Sequence, residues 1–266
     1  MDKIIDLGEL TFCIPIRIDS EFRLRNLLAV LRFYTSHIRA NYILLEADSK
    51  QYISSDSFQI DGLQYVYIHD ENPIFHRTHY INYMLSMVKT RVAAVWDADA
   101  VAPVPQLRKA YENLLNGNSV MCYPYDGRFW GVSDFFSSAF CKSVDIRLLT
   151  HFSQPLYLMC SYYSVGGAFL VDVEGYRRYG WENEHFAGWG PEDVERYRRL
   201  LILGEKPLRV TGSLYHLFHT RGVNSGDFDK KLAMDTKKEY IRICSMYPEE
   251  LRKEIELWEW TRKEGI

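Results

Sequence analysis

The sequence predicts an α/β fold built on a mostly parallel sheet. Short β-rich apolar runs alternate with stretches of helical periodicity, and charged residues gather where the apolar runs end. Hydrophobic residues fill 47% and charged residues 25% of the 266 positions, a balance that buries a sizeable core.

Taken in order, residues 10–16 read as a first strand whose pairing Pro15 is expected to stop. Asp19 or Ser20 then caps a helix in which Phe22, Leu24, Leu27, Leu28, Leu31, Phe33 and Tyr34 recur at near-helical spacing. Residues 42–45 and 65–68 read as two more strands, helical periodicity returns over 77–87, and the buried run 92–96 leads straight into Asp97. Beyond Pro105 the pattern changes. A helix over 106–116 gives way to an irregular aromatic segment, then to a strand over 168–173 after Gly166-Gly167. A helix over 194–203 stops at Gly204, and short strands follow at 208–210 and 213–216. Residues 234–260 read as one charged amphipathic helical tail. Repeats, low-complexity tracts and linkers are absent, so one domain is expected over 1–266. It would have two functional halves, about 1–105 and 106–233, and a tail over 234–266.

The composition excludes several classes. A net charge of −3 with both signs interspersed argues against nucleic-acid binding. No apolar run approaches the ~20 residues that span a bilayer. The acidic start lacks the basic and apolar parts of a signal peptide, so a cytoplasmic location is expected. Cys13, Cys122, Cys141, Cys160 and Cys244 are odd in number and lack CxxC spacing, which points to reduced, mostly buried thiols. Aromatics reach 15%, with many in loop-like stretches, a composition suited to stacking on bases or sugars and equally to filling a core.

In parallel α/β sheets ligands sit beyond the carboxyl ends of the strands. Arg17, Asp19, Glu46, Asp48, Asp97 and Asp99 all fall there. In Asp97-Ala98-Asp99 two carboxylates, two residues apart past a buried strand, can reach one divalent ion, and hard oxygen ligands suit Mg²⁺ or Mn²⁺ bridging a diphosphate. A solvated turn is the plain alternative. His216 and His219, three residues apart after an apolar strand, can complete such an ion with Asp99, while Arg221 can meet phosphate oxygens. Glu192 and Asp193 after Gly188-Trp189-Gly190-Pro191 suit a helix start, or a general base beside a stacking tryptophan. Glu195 and Arg199 read as a helix-stabilising pair. Arg77 fits a nucleotide contact or a surface arginine, and spacing does not separate the two.

At this point the residues resemble a known family. The block from Gly166-Gly167 through Trp189-Gly190-Pro191-Glu192-Asp193 looks like the carboxyl-terminal block of the β-1,4-galactosyltransferases, and it is also similar to bacterial chondroitin-polymerase-type transferases. Phe75-His76-Arg77-Thr78 with Asn82, then Asp97-Ala98-Asp99, resembles the family's Phe-Asn-Arg…Asn and Asp-x-Asp. Ile14-Pro15-Ile16-Arg17 is similar to its first nucleotide-binding strand end. The matches keep the family's order from about Pro15 to His219.

The resemblance implies a GT-A fold with a nucleotide-binding half and an acceptor-binding half. It implies an inverting, metal-dependent transfer of a hexose or N-acetylhexosamine, galactose-type favoured, from a UDP-sugar to a glycan or glycolipid-precursor hydroxyl. Pro15, Arg17, Phe75 and Arg77 would line the nucleotide pocket with Asp19, Glu46 and Gly167, and Asp97 would approach the ribose or the metal's outer shell. Asp99 would bind Mn²⁺ or Mg²⁺ with His216 and His219. Trp189, Gly190, Glu192 and Asp193 would handle the acceptor, with Asp193 as base. Pro191 stands where the family has Gly. Two rivals stay open: a retaining enzyme of the polypeptide N-acetylgalactosaminyltransferase type, which carries a Trp-Gly-x-Glu block, and a non-catalytic carbohydrate-binding protein. Peripheral attachment to a membrane stays open as well.

Overall fold

The computed structural model describes residues 4–54, 60–152, 156–159, 163–222 and 229–262. The expectation for Cys160 lies outside these residues, as does the very start of the chain. The other four cysteines are free thiols, three of them buried.

In chain order the strands are β1 (Ile5–Ile16), β2 (Ile38–Asp48), β3 (Leu63–His69), β4 (Val92–Trp96), β5 (Ala100–Val101), β6 (Met121–Tyr123), β7 (Phe129–Val132), β8 (Leu156–Leu158), β9 (Ala168–Asp172), β10 (Leu208–Arg209) and β11 (Leu214–His216). The helices are α1 (Glu21–His37), α2 (Arg77–Met87), α3 (Val104–Leu115), α4 (Asp134–Ser143), α5 (Arg147–Thr150), α6 (Val173–Arg177), α7 (Glu192–Ile202), α8 (Lys230–Cys244) and α9 (Pro248–Leu257).

A seven-stranded sheet runs in the order β10-β6-β9-β4-β1-β2-β3. The expectation of a mostly parallel sheet holds for four of its six pairings, though not for all. β1 to β4 pair in parallel, but β9 is antiparallel to both β4 and β6, so the sheet is mixed. The cause is the excursion between β4 and β9. It leaves from the carboxyl end of β4 and returns there, pairing Ala168 with Trp96, and a strand that starts beside its neighbour's end must run back along it. Nor does Pro15 end β1. Pairing with β4 ends at Cys13↔Val95, while pairing with β2 runs on through Pro15↔Leu45 and Ile16↔Glu46. The missing N–H falls where only one neighbour remains.

Three strands of this excursion, β5, β7 and β8, join β11 from beyond α7 in a second, four-stranded sheet, β5-β11-β7-β8, which the sequence did not suggest. Its register sets His216 opposite Ala100, next to Asp99. Aromatic packing fixes the turn between the sheets. Phe12 stacks on Tyr42 and meets Tyr34 and Trp96 in the core. The Tyr34 hydroxyl donates to Ala102 O and accepts from Ala102 N–H, while Trp96 Nε1 donates to Ala100 O. The chain over Asp97–Asp99 is thus held by buried hydrogen bonds rather than by its own turn alone.

The single C-terminal helix expected over 234–260 is two helices. Pro248 begins α9 at a position where its missing N–H is harmless, and the Glu250 carboxylate accepts the Tyr247 N–H. Leu203, Ile243, Leu251, Ile255 and Trp258 form a second small core there.

Candidate functional site

Asp97 and Asp99 sit in the turn after β4. Asp97 N–H donates to Gly167 O (2.9 Å) and Ala100 N–H to Asp97 O (3.1 Å). Asp99, 1% exposed, accepts from Arg23 Nη1 at 2.8 Å on Oδ2, and its Oδ1 is buried with no hydrogen-bond partner. His216 Nε2 lies 3.5 Å from Oδ1 and His219 Nε2 lies 3.3 Å from Oδ2.

The histidines are placed from both sides. Leu217 N–H extends the β11–β5 ladder to Asp99 O (2.8 Å). Arg25 and Asn26 donate to Phe218 O from α1, and Ser137 Oγ accepts the Phe218 N–H from α4. His219 Nδ1 donates to Thr220 O (2.8 Å), which turns Nε2 toward the Asp99 carboxylate. Burial lowers the pKa of His216 by more than neighbouring Asp99 raises it. Burial pulls Asp99 upward, yet His216, Arg23 and His219 outweigh it and hold the carboxyl below its ordinary value. One oxygen and two nitrogens with converging lone pairs, all within 4.8 Å of one another, fit a divalent cation. The mixed donor set suits Mn²⁺ better than Mg²⁺, which prefers oxygen.

On the far side of Arg77, α7 presents the acid pair. Asp193 Oδ1 accepts from Arg196 Nη2 at 2.5 Å and lies 3.8 Å from Arg77 Nη1. Arg77 Nη2 donates to Asp97 Oδ1 at 2.7 Å, so one guanidinium bridges the β4 turn and the α7 acid. The other Arg77 nitrogen, Nη1, is buried without a hydrogen-bond partner. Glu192 is 7% exposed with Oε2 unpartnered. Burial, reinforced by Asp193 and opposed by Arg77, pushes its pKa up to about 8. Three polar atoms left orphaned in burial, on Asp99, Arg77 and Glu192, therefore belong to this one group of side chains. Such groups are costly unless a ligand satisfies them.

The loop before α7 leans on its surroundings. Gly188 N–H donates to Phe75 O, a Cβ on Gly188 would stand 3.0 Å from Ile74 and Leu232, and one on Gly190 would stand 3.2 Å from Thr236 of α8. Trp189 between them is 49% exposed. Gly167, at φ +81°, turns the chain into β9, and a Cβ there would lie 2.7 Å from Phe129.

Not every predicted residue joins this group. Arg17 is engaged as a clamp, donating to Ala47 O, Asn72 O and Asp70 Oδ2 with its guanidinium 5.3 Å from the Phe75 ring. Pro15 lies in the β1–β2 ladder. Glu46 is fully buried, and its carboxylate accepts from Tyr52 N–H, Ile53 N–H and the Tyr65 hydroxyl, which makes it an internal anchor for the segment after β2. Asp19 pairs with Arg23 at 3.4 Å. Arg23 and Arg196 were missed. Each sits in a run of charged helix residues that reads as a solvated face, and only the fold turns them inward.

No protein-family model and no curated protein matches the sequence. Solved structures do match. The Drosophila β-1,4-galactosyltransferase 7, solved with manganese, UDP-Gal and xylobiose, superposes with a TM-score of 0.53 at 14% identity, over 86% of this chain and 78% of that one. A Pyrobaculum calidifontis mannosyltransferase with GDP-Man and Mn²⁺ gives 0.51 at 12% identity, over 81% and 58%. GalNAc-T7 with UDP, GalNAc and Mn²⁺ gives 0.58 at 12% identity, over 91% and 49%. At such identities the likeness is one of fold, and the chain has the GT-A fold that these glycosyltransferases share.

Proposed function

We propose that the chain is a Mn²⁺-dependent inverting glycosyltransferase that moves a hexose or N-acetylhexosamine from a UDP-sugar to a glycan hydroxyl, with galactose the favoured donor sugar. The observation that carries this reading is the pairing of two half-sites through Arg77. On one side the lone pairs of Asp99, His216 and His219 converge; on the other stands Asp193 with one carboxylate oxygen unengaged. The structures that share the fold were solved with Mn²⁺ and nucleotides or nucleotide sugars, which supports the same ligands here.

Asp99, His216 and His219 would hold the ion, which when bound neutralises charge on the leaving diphosphate. Arg77 is a fixed cation between the donor and acceptor sides. Trp189 offers an exposed ring for the apolar face of an acceptor sugar. Asp193 takes the proton of the acceptor hydroxyl as that oxygen attacks the anomeric carbon and the bond to the diphosphate breaks. A base at Asp193 that activates the acceptor for attack opposite the leaving group gives inversion. The anomer of the product decides between this reading and a retaining enzyme on the same fold. Among the described residues no helix is long and apolar enough to cross a membrane.

The experiment pairs two variants. UDP release is followed with Mn²⁺, a set of UDP-hexoses and UDP-N-acetylhexosamines, and mono- and disaccharide acceptors. Asp99→Ala and Asp193→Asn should each lower transfer by about 100-fold or more. In calorimetry only Asp99→Ala should lose Mn²⁺-dependent UDP binding. Full Mn²⁺-dependent UDP affinity in Asp99→Ala would remove the metal assignment, and an NMR spectrum of the product with retained configuration would replace the inverting reading.

A further inference from the structure

We infer that Arg196 is the positioning residue of Asp193: it holds one carboxylate oxygen and leaves the other, the one facing Gly166, to receive the acceptor proton. This rests on the reading of Asp193 as the base and deepens it.

Arg196 is fully buried, with both terminal nitrogens engaged and Nε without a hydrogen-bond partner. Nη1 donates to Glu182 Oε2 (2.7 Å), and Nη2 donates to Val165 O (3.1 Å) and to Asp193 Oδ1 (2.5 Å). Its guanidinium carbon lies 3.9 Å from the ring centroid of Phe169, which stands in the middle of the large sheet. Glu182 is itself 1% exposed and is held by the Tyr176 hydroxyl (2.7 Å) and, through its N–H, by Asn82 Oδ1 (2.9 Å). The guanidinium is therefore a fork anchored in the core, and one of its terminal nitrogens reaches the partly exposed Asp193.

A buried ion pair is poor evidence of a stability role, because apolar residues of similar volume commonly serve a core as well or better. What an arginine adds is two donors in a fixed plane. One binds the core acid Glu182, and the other reaches the rim and stops Asp193 from rotating. Arg77 approaches the same oxygen, so both cations lie on the Oδ1 side. Oδ2 is left, and a Cβ on Gly166 would stand 2.5 Å from it, so glycine is what gives this oxygen room. The Gly166 carbonyl accepts from the Tyr125 hydroxyl (2.7 Å), which fixes the backbone on that side. In the step so arranged, the hydroxyl oxygen bonds to the anomeric carbon, its proton passes to Oδ2, and the electron pair of the broken bond leaves with the diphosphate.

The test uses the full chain with UDP-galactose, Mn²⁺ and xylobiose, reading UDP release, beside crystal structures of the unaltered chain and of Arg196→Lys. Lysine keeps the charge against Glu182 but replaces the planar fork with a single ammonium. Arg196→Met combined with Glu182→Gln removes the charge pair together, so that no unpaired buried charge is left to unfold the chain. Both should lose about 10- to 100-fold in kcat, the range for a misplaced catalytic group. KM for donor and acceptor and Mn²⁺-dependent UDP affinity should stay within about twofold. Added to Asp193→Asn, either change should cost nothing more, and in the Arg196→Lys crystal the Asp193 carboxylate should leave its present orientation. Unchanged kcat in both variants, or an Asp193 carboxylate that keeps its place in the lysine crystal, overturns the inference, as does a loss of equal size in the Asp193→Asn background. Asp193→Asn with undiminished transfer would instead overturn the base assignment beneath it.

Discussion

At the scale of single residues, the site was legible where chemistry needs a motif and illegible where it needs a partner. Asp97, Asp99, His216, His219, Glu192 and Asp193 stand out because they follow one another in the order of a known family, although each alone also fits a solvated turn, a packed histidine or a helix start. Arg23 and Arg196 do not, since arginines among charged helix residues are ordinary, and their partners lie far along the chain or in a core acid. Glu46 shows the converse: an acid at a strand end whose oxygens all serve the backbone and a tyrosine nearby. Glu192 yields a prediction of its own. Its folded pKa of about 8 lies above its ordinary 4.5. The proton-bound form therefore stabilises the fold fully below about pH 4.5, and that stabilisation is lost as pH rises through 8. Glu192→Gln imitates the neutral acid and does not titrate. The variant should gain about 3 kcal/mol on the unaltered chain between pH 5 and pH 8, read as a widening gap in urea midpoints. A gap that stays flat across that range would mean Glu192 is ionised throughout.

At the scale of elements, α7 is an amphipathic helix turned inside out. Glu192, Glu195, Arg196, Arg199 and Leu200 form its buried stripe at the spacing usually reserved for apolar residues, whereas Val194 (42%) and Leu201 (37%) face outward. Periodicity locates such a helix but assigns its faces wrongly, because hydropathy alone places charges in water. The fold compensates by pairing. Arg199 Nε donates to Glu195 Oε1 at 2.7 Å, Arg199 Nη2 donates to Trp181 O, and both side chains are at most 1% exposed. Glu195→Ala should therefore destabilise the chain by about 3–5 kcal/mol by stranding a buried guanidinium. Val194→Glu, one position earlier, should change stability by no more than about 0.5 kcal/mol. Urea denaturation of the two variants reads the orientation directly, and reversed magnitudes would mean that the hydrophobic side of α7 is the buried one.

At the scale of the whole molecule, the first four strands and α2 were readable because each is a continuous apolar or periodic run, and parallel order follows from the helices between them. Of the small sheet only β11 was read, as a short strand over 213–216; β5 and β8 have two or three residues each, too few for any period to appear. That sheet nevertheless makes the site, because its β5–β11 register is what brings His216 to Asp99 across more than a hundred residues of chain. Asp99 from the end of β4, His216 from β11 and His219 beyond it come together only in the folded chain, so a cation held by all three binds the folded state far better than the unfolded one. Linkage then makes Mn²⁺ a stabiliser of the whole fold. At a hundredfold excess over its dissociation constant it should add about 2.7 kcal/mol, which for a chain of this length raises Tm by about 5–10 °C. Asp99→Ala should lose this shift altogether, Asp193→Asn should keep it, and Mg²⁺ should give a smaller one because imidazole nitrogen suits it poorly. Thermal unfolding with and without the ion checks all three. An equal Mn²⁺ shift in the Asp99→Ala chain would place the stabilising cation elsewhere and separate the small sheet's register from metal binding.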